Sequence, residues 1–300
     1  MIVDYPKTMQ DVLRLFPNES SCRTYLAHLR WGSAFLCPAC GNISCWQYED
    51  GRLRCTRCHA DTSVIAGTVF EDTHLPLHLW FLAIWCVVSQ KHGVSALGLA
   101  RALGIKRQKT GWQLLQKIRR GMIRPNRDRL SGLVEIDDIL IGGKRHKFEG
   151  RSPQGKTLVL VAAEDKGGRG IGRIRMQIIP NATAASLRAT VTTMVEPGST
   201  VRTDGWTSYQ PERWGYRHRL VKRQPLNPGD DPTPLIHRVS SLLKRWLLGT
   251  HQGGIQITHL QEYLDEFVFR FNRRTSRSRG LLFYRLLANL VHIRKYVKGD

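Results

Sequence analysis

The spacing of apolar residues changes character near residue 131. Before that point it runs in helical steps. "SSCRTYLAHLRWG" is a short helical lead-in, and "LPLHLWFLAIWCVV", Leu75 to Val88, is apolar on nearly every side, as a buried helix is. In "GVSALGLARALGIKRQKTGWQLLQKIRRGM", Ala96, Leu97, Leu99, Ala100 and Leu103 mark one short helix. Trp112, Leu114, Leu115 and Ile118 mark a second, beyond a glycine-containing turn, so the pair has the pattern of a helix-turn-helix. From 131 the period falls to two. "LVEIDDILIGG" and "GRIRMQIIP" alternate, and "KTLVLVAAED" is a run of strand formers. "NATAASLRATVTTMV" returns to helical spacing with Asn181 or Thr183 as its cap, and "STVRTDG" is a further strand.

"TPLIHRVSSLLKRWLLG", 233 to 249, follows a Pro/Gly-rich loop and predicts one more helix. Thr233 stands as its cap, Pro234 as its first residue and Gly249 as its terminator. Leu235, Val239, Leu242, Leu243 and Trp246 form its buried stripe, which leaves His237, Ser241 and Lys244 together on another face. The pattern divides the chain into a helical lead-in (1–32), a cysteine-bearing segment (33–68), a helix-turn-helix-like domain (70–130), an α/β core (131–274) and a basic helical tail (275–300). Strand, strand, strand, helix, strand, helix is a mixed α/β order, shared with RNase H-like sheets.

Charge narrows the partners. Lys and Arg number 46 against 24 Asp and Glu, a net +22, which favours a polyanion and nucleic acid first. A membrane is disfavoured: the longest apolar stretch is too short to span a bilayer, and "MIVDYPKTMQ" has neither the basic start nor the apolar run of a signal peptide. A cytoplasmic protein is expected. Lys106, Arg107 and Lys109, with Lys117, Arg119 and Arg120, are placed on or beside the second helix of the pair as phosphate contacts. "GGKRHKFEGRSPQGK" (142–156) is a Gly-rich basic loop whose Lys144 and Arg145 suit the same role.

Four of the seven cysteines form Cys37-Pro-Ala-Cys40 and Cys55-Thr-Arg-Cys58, two knuckles fourteen residues apart. That is zinc-ribbon spacing, and four thiolates leave no open position for substrate, so the expected Zn²⁺ is structural. The carboxylates suggest chemistry. Asp137 lies within the first core strand and Asp204 at the end of a later one. If these strands are neighbours, both carboxylates reach one cleft, a pair suited to Mg²⁺ and phosphate esters. Glu135 and Asp138 are expected on the face opposite Asp137, while Glu262, Asp265 and Glu266 are expected to be structural, with Glu266 pairing with Arg270.

"CPACG…CTRC", "VEIDDILIGGK", "TDGWTSY" and "HRVSSLLKRWLLGTHQG…HLQEYLDEFVFRFNRR" together resemble the ISXO-like transposases of bacterial insertion sequences, which join a zinc ribbon to a DDE-type RNase H-like core. The resemblance spans about Cys22 to Arg274. It implies that Asp137 and Asp204 are the first two catalytic, metal-binding aspartates. Such cores most often place a glutamate third, on a helix, seven residues before a lysine. Seven residues before Lys244 stands His237, with thirty-two residues between it and Asp204, giving an Asp-Asp-His-Lys variant. The same resemblance implies Mg²⁺ or Mn²⁺ at Asp137, Asp204 and His237, with Lys244 holding a phosphate. It further implies double-stranded DNA (transposon ends and target) as partner, a homo-oligomer on that DNA, and a nucleoid-associated location. A DNA-binding regulator with a dead core is the rival expectation, and the histidine is its best argument.

Overall fold

The computed structural model describes residues 5–32, 34–48, 51–124, 126–142, 156–220, 231–252 and 254–293. The chain forms two compact units, Met1–Arg124 with Ser276–Asp300, and Pro125–Thr275.

The first unit opens with α1 (Met9–Leu15) and α2 (Glu19–Trp31), each started by a capping box, Thr8 with Asp11 and Asn18 with Ser21. Next come β1 (Cys45–Gln47), β2 (Arg52–Cys55) and β3 (Asp61–Ser63), an antiparallel ribbon in the order β1-β2-β3. The apolar run becomes α3 (Leu77–Ser89), in which Trp80, Phe81, Ala83, Ile84, Trp85 and Cys86 are all buried. α4 (Ala96–Ala102) and α5 (Gln108–Arg120) then pack as a helix-turn-helix, with Gly104 at φ +67° between them. Gly111 permits the close crossing: a Cβ there would lie 2.8 Å from the Ala96 carbonyl oxygen. Among its described residues the segment 70–130 holds the three helices α3, α4 and α5, as its spacing and glycine-containing turn predict.

The second unit contains β4 (Leu133–Ile141), β5 (Thr157–Asp165), β6 (Ile171–Ile178), α6 (Ala184–Met194), β7 (Thr200–Thr203), β8 (Arg217–Leu220), α7 (Pro234–His251) and α8 (Leu260–Asn272). Among the described residues its sheet has five strands in the order β6-β5-β4-β7-β8. β4 and β6 run antiparallel to β5, whereas β7 and β8 are parallel to β4 and β7 in turn. This is the RNase H-like mixed sheet. One face packs Val134, Ile136, Leu160 and Ala162 against Leu187, Val191 and Met194 of α6. The other packs Ile139, Val159 and Val161 against Ile236, Val239 and Leu243 of α7 and Leu264 and Phe267 of α8. Burial on both faces explains the unbroken apolar run from Leu158 to Ala163 in β5. Thr183 caps α6, and Asn181 accepts from the Thr183 and Ser186 hydroxyls.

The tail expected after residue 274 is helical as α9 (Arg279–Leu290), and its apolar side, Leu282, Phe283, Leu286, Leu287 and Leu290, belongs to the core of the first unit. There Phe283 meets Phe16, Phe81 and Trp85. Among the described residues no helix is long and apolar enough to cross a membrane.

Candidate active site and zinc centre

β4 and β7 are parallel neighbours with Val134 opposite Val201 and Glu135 opposite Arg202. Two residues beyond that last pair, Asp137 continues β4 while Asp204 follows the end of β7, near enough for its charge to act on Asp137. Asp204 is 4% exposed and accepts the Trp206 N–H at 3.0 Å, in the turn that ends β7. Burial raises the Asp137 carboxyl from its ordinary 3.8 to about 6, and the charges of Asp204 and Asp138 push it the same way, against a hydrogen bond from Thr233. Two neighbouring carboxylates form an all-oxygen donor pair that fits a hard divalent ion. Asp138 points to the opposite face, where the buried Tyr209 hydroxyl donates to it at 3.1 Å.

Glu135 is not on that opposite face. A step of two along a strand returns to the same side, so Glu135 stands beside Asp137. It is completely buried, paired with Arg202, and accepts the Ile236 N–H at 2.9 Å. Burial raises its pKa, although the Arg202 guanidinium and the helix N–H groups oppose that. A carboxylate from β4 therefore caps α7 and places its positive end beside Asp137. Thr233 occupies the cap position, but its side chain makes no cap bond; the hydroxyl donates to Asp137 at 2.8 Å instead. Pro234 takes the first turn as expected. Gly249 does not end the helix, which runs to His251 and stops at Gln252 in the left-handed conformation, φ 51°.

His237 and Lys244 are exposed on α7, while Ile236, Val239 and Leu243 are buried beneath. Nδ1 of His237 lies 2.7 Å from Asp231 Oδ2, and Asp231 Oδ1 accepts the Thr233 N–H at 2.9 Å. Asp137, Asp204 and His237 do not close to a metal-holding spacing: the Asp137 carboxylate turns to Thr233 and the imidazole to Asp231. Sequence reasoning missed Asp231, Arg202 and Tyr209. The "DDPTP" stretch reads only as loop, and the other two act through contacts too distant along the chain for periodicity to reveal.

The cysteine prediction is met by geometry. The sulfurs of Cys37, Cys40, Cys55 and Cys58 all lie within 4.8 Å of one another, the one such group among the described residues. Cys37–Cys58 and Cys40–Cys55 are each 3.6 Å apart, close to the ~3.8 Å edge of a tetrahedron with Zn–S bonds of about 2.3 Å. Desolvation opposes the Cys55 thiolate, but the Cys58 and Arg57 N–H groups and the Asn42 amide outweigh it and lower the thiol to about 6. The residues present fit a structural zinc ion.

Of the basic residues expected on DNA, Lys106, Arg107 and Lys109 are exposed at the start of α5. Arg119 is not available: it is 1% exposed, because position 119 falls on the buried side of α5 beside Leu115 and Ile118. Lys144 and Arg145 lie outside the described residues.

A four-cysteine ribbon that fits zinc, a helix-turn-helix pair and an RNase H-like sheet bearing Asp137 and Asp204 make up the described parts of the chain. The chain matches the ISXO2-like transposase domain over residues 129–272 and the transposase zinc-ribbon domain over residues 17–61. It is 27% identical over 281 residues to an uncharacterised protein in transposable element ISH50 of Halobacterium salinarum, covering 86% of this chain and 92% of that one. That relative is archaeal, so the likeness extends beyond bacterial insertion sequences. The cryoEM structure of a simian T-cell lymphotropic virus intasome in complex with PP2A regulatory subunit B56 gamma matches 67% of this chain and 74% of its own. The match has 14% identity and a TM-score of 0.33, too slight to bear on function.

Proposed function

We propose that the protein is a DDE-type transposase that binds the terminal inverted repeats of its element and performs metal-dependent cleavage and strand transfer on double-stranded DNA. The observation that supports this is a pair of interacting carboxylates, Asp137 on β4 and Asp204 just after the neighbouring parallel β7, with Asp137 bonded to Thr233 at the start of α7, within the transposase-matching domain. Asp137 and Asp204, joined by His237 once the three side chains close up, would hold Mg²⁺ or Mn²⁺. When bound, such ions make the attacking hydroxyl more acidic and stabilise the leaving 3′ oxygen.

The remaining work falls to the chain. Water attacks a phosphodiester at the element's end and the strand leaves as a 3′ hydroxyl; that hydroxyl then attacks a target phosphodiester and releases a target 3′ oxygen. Each step exchanges one P–O bond for another, with no covalent protein intermediate. Thr233 holds Asp137 in its rotamer, and Glu135 fixes the start of α7 so that His237 and Lys244 share one DNA-facing side. Lys244 takes a phosphate as a point charge. Lys106, Arg107 and Lys109 hold end DNA, and Lys144 and Arg145 grip backbone. Two ends must be held together for paired cleavage, so the working unit is a homo-oligomer on DNA, acting in the cytoplasm on the chromosome.

The test is incubation of purified protein with labelled element ends and target plasmid in Mg²⁺ or Mn²⁺. Nicked ends and joined products that vanish in Asp137→Asn and Asp204→Asn support the reading. End binding without cleavage under either ion refutes it in favour of a DNA-binding regulator, and cleavage without joining leaves a nuclease.

A further inference from the structure

We infer that Asp231 is a positioning residue for His237, forming an Asp–His dyad at the mouth of α7 that supplies the negative charge a glutamate at position 237 would have carried. The inference rests on the transposase reading above. Its geometry is a continuous chain: Asp137 Oδ2 accepts the Thr233 hydroxyl at 2.8 Å, Asp231 Oδ1 accepts the Thr233 N–H at 2.9 Å, and Asp231 Oδ2 meets His237 Nδ1 at 2.7 Å. Asp231 thus stands just ahead of α7 and is tied by both its oxygens, one to the helix entry and one to the ring.

An ionised carboxylate only accepts, so the proton of this contact sits on Nδ1, and in the neutral ring Nε2 then keeps its lone pair. That is the tautomer a ring needs to accept a proton or bind a cation through Nε2, and a carboxylate behind the ring fixes its orientation. The substitution of a neutral ring for an acid then leaves the local charge close to that of an all-carboxylate site, because the acid sits one hydrogen bond further out. A merely structural alternative exists in the same contacts: Asp231 as an N-terminal turn residue of α7, with the ring an incidental surface partner, the two side chains being 33% and 56% exposed.

The variants separate these. Asp231→Asn keeps an oxygen for the Thr233 N–H, removes the charge and turns an N–H₂ donor towards His237 Nδ1. It is expected to slow end cleavage by roughly tenfold to a hundredfold, the usual cost of losing a carboxylate behind a ligand or catalytic imidazole. In a His237→Glu background, which carries its own charge, Asp231→Asn is expected to change cleavage less than about twofold. Independently of activity, ¹⁵N–¹H correlation spectra of the metal-free imidazoles, with the His237→Gln spectrum as the assignment control, should show Nδ1–H at His237 in wild type and a mixture with Nε2–H in Asp231→Ala. Equal losses from Asp231→Asn in both backgrounds, or an unchanged tautomer, overturn the dyad. Asp137→Asn run in parallel keeps the two claims apart: if that variant cleaves like wild type, the metal-site reading fails, whatever Asp231 does.

Discussion

Asp137→Asn should make the protein more stable at neutral pH in the absence of magnesium and manganese. The carboxyl rises from 3.8 to about 6 on folding, because burial and the Asp204 and Asp138 charges disfavour its ionised form. Between those two values the folded state keeps a proton that the unfolded state has lost. Unfolding free energy must then fall as pH rises through the window, and stay lower above it. At about 1.4 kcal/mol per pH unit, the displacement comes to about 3 kcal/mol. Asparagine keeps an oxygen for the Thr233 hydroxyl and carries no charge, so the variant should lack that decline. Below the lower value the two proteins should be alike; by neutral pH the variant should lead by up to about 3 kcal/mol. Asp265 is also raised to about 6 by burial and titrates in the same window, but it is present in both proteins and cancels in the difference. The assay is urea unfolding of zinc-loaded protein across this pH range, followed by dichroism and fluorescence. Adding Mn²⁺ should close the gap by stabilising wild type alone. Stabilities that run parallel from acid to neutral pH would refute the reasoning, because the carboxylates would then not be crowded.

Three further outcomes follow from other contacts. Glu135→Leu leaves Arg202 without its buried carboxylate and the Ile236 N–H without its acceptor, and should cost about 3–5 kcal/mol in denaturant unfolding; a loss under ~1 kcal/mol would mean that Glu135 does not anchor α7. Cys40→Ser should remove stoichiometric zinc, measured by metal analysis, and lower end binding, while full zinc content in the variant would contradict a four-thiolate site. Replacing Lys106, Arg107 and Lys109 together by Ala should reduce the slope of log affinity against log salt by roughly 2–3 for end DNA; an unchanged slope would move the interface elsewhere.

How far the sequence discloses this site depends on the distance its contacts span. The ribbon is legible because fourteen residues and two knuckles contain the whole metal set. The two strand aspartates are legible because alternation gives their faces and family likeness gives their partnership. Glu135 is instructive in the other direction: the alternation that assigns Asp138 to the far face assigns Glu135 to the near one, and only its burial and the link to Ile236 make its helix-capping role evident. Thr233 looks like a cap by local chemistry, yet Asp137, ninety-six residues away in sequence, claims its hydroxyl. Gly249 looks like a stop, but the buried Val239, Leu243 and Leu247 continue the apolar stripe and Gln252 takes the left-handed turn. α9 shows the same limit, since nothing local in a basic tail tells that Phe283 packs among Phe16, Phe81 and Trp85.

The claim on which the rest depends is that Asp204 and Asp137 hold the divalent ion that supports strand cleavage. Asp204→Cys assayed on labelled element ends in Mg²⁺ and in Mn²⁺ tests it most directly, because a thiolate is a poor partner for magnesium and a better one for manganese. The account predicts no cleavage with Mg²⁺ and recovered cleavage with Mn²⁺. Cleavage by Asp204→Cys in Mg²⁺ at the wild-type rate would contradict it.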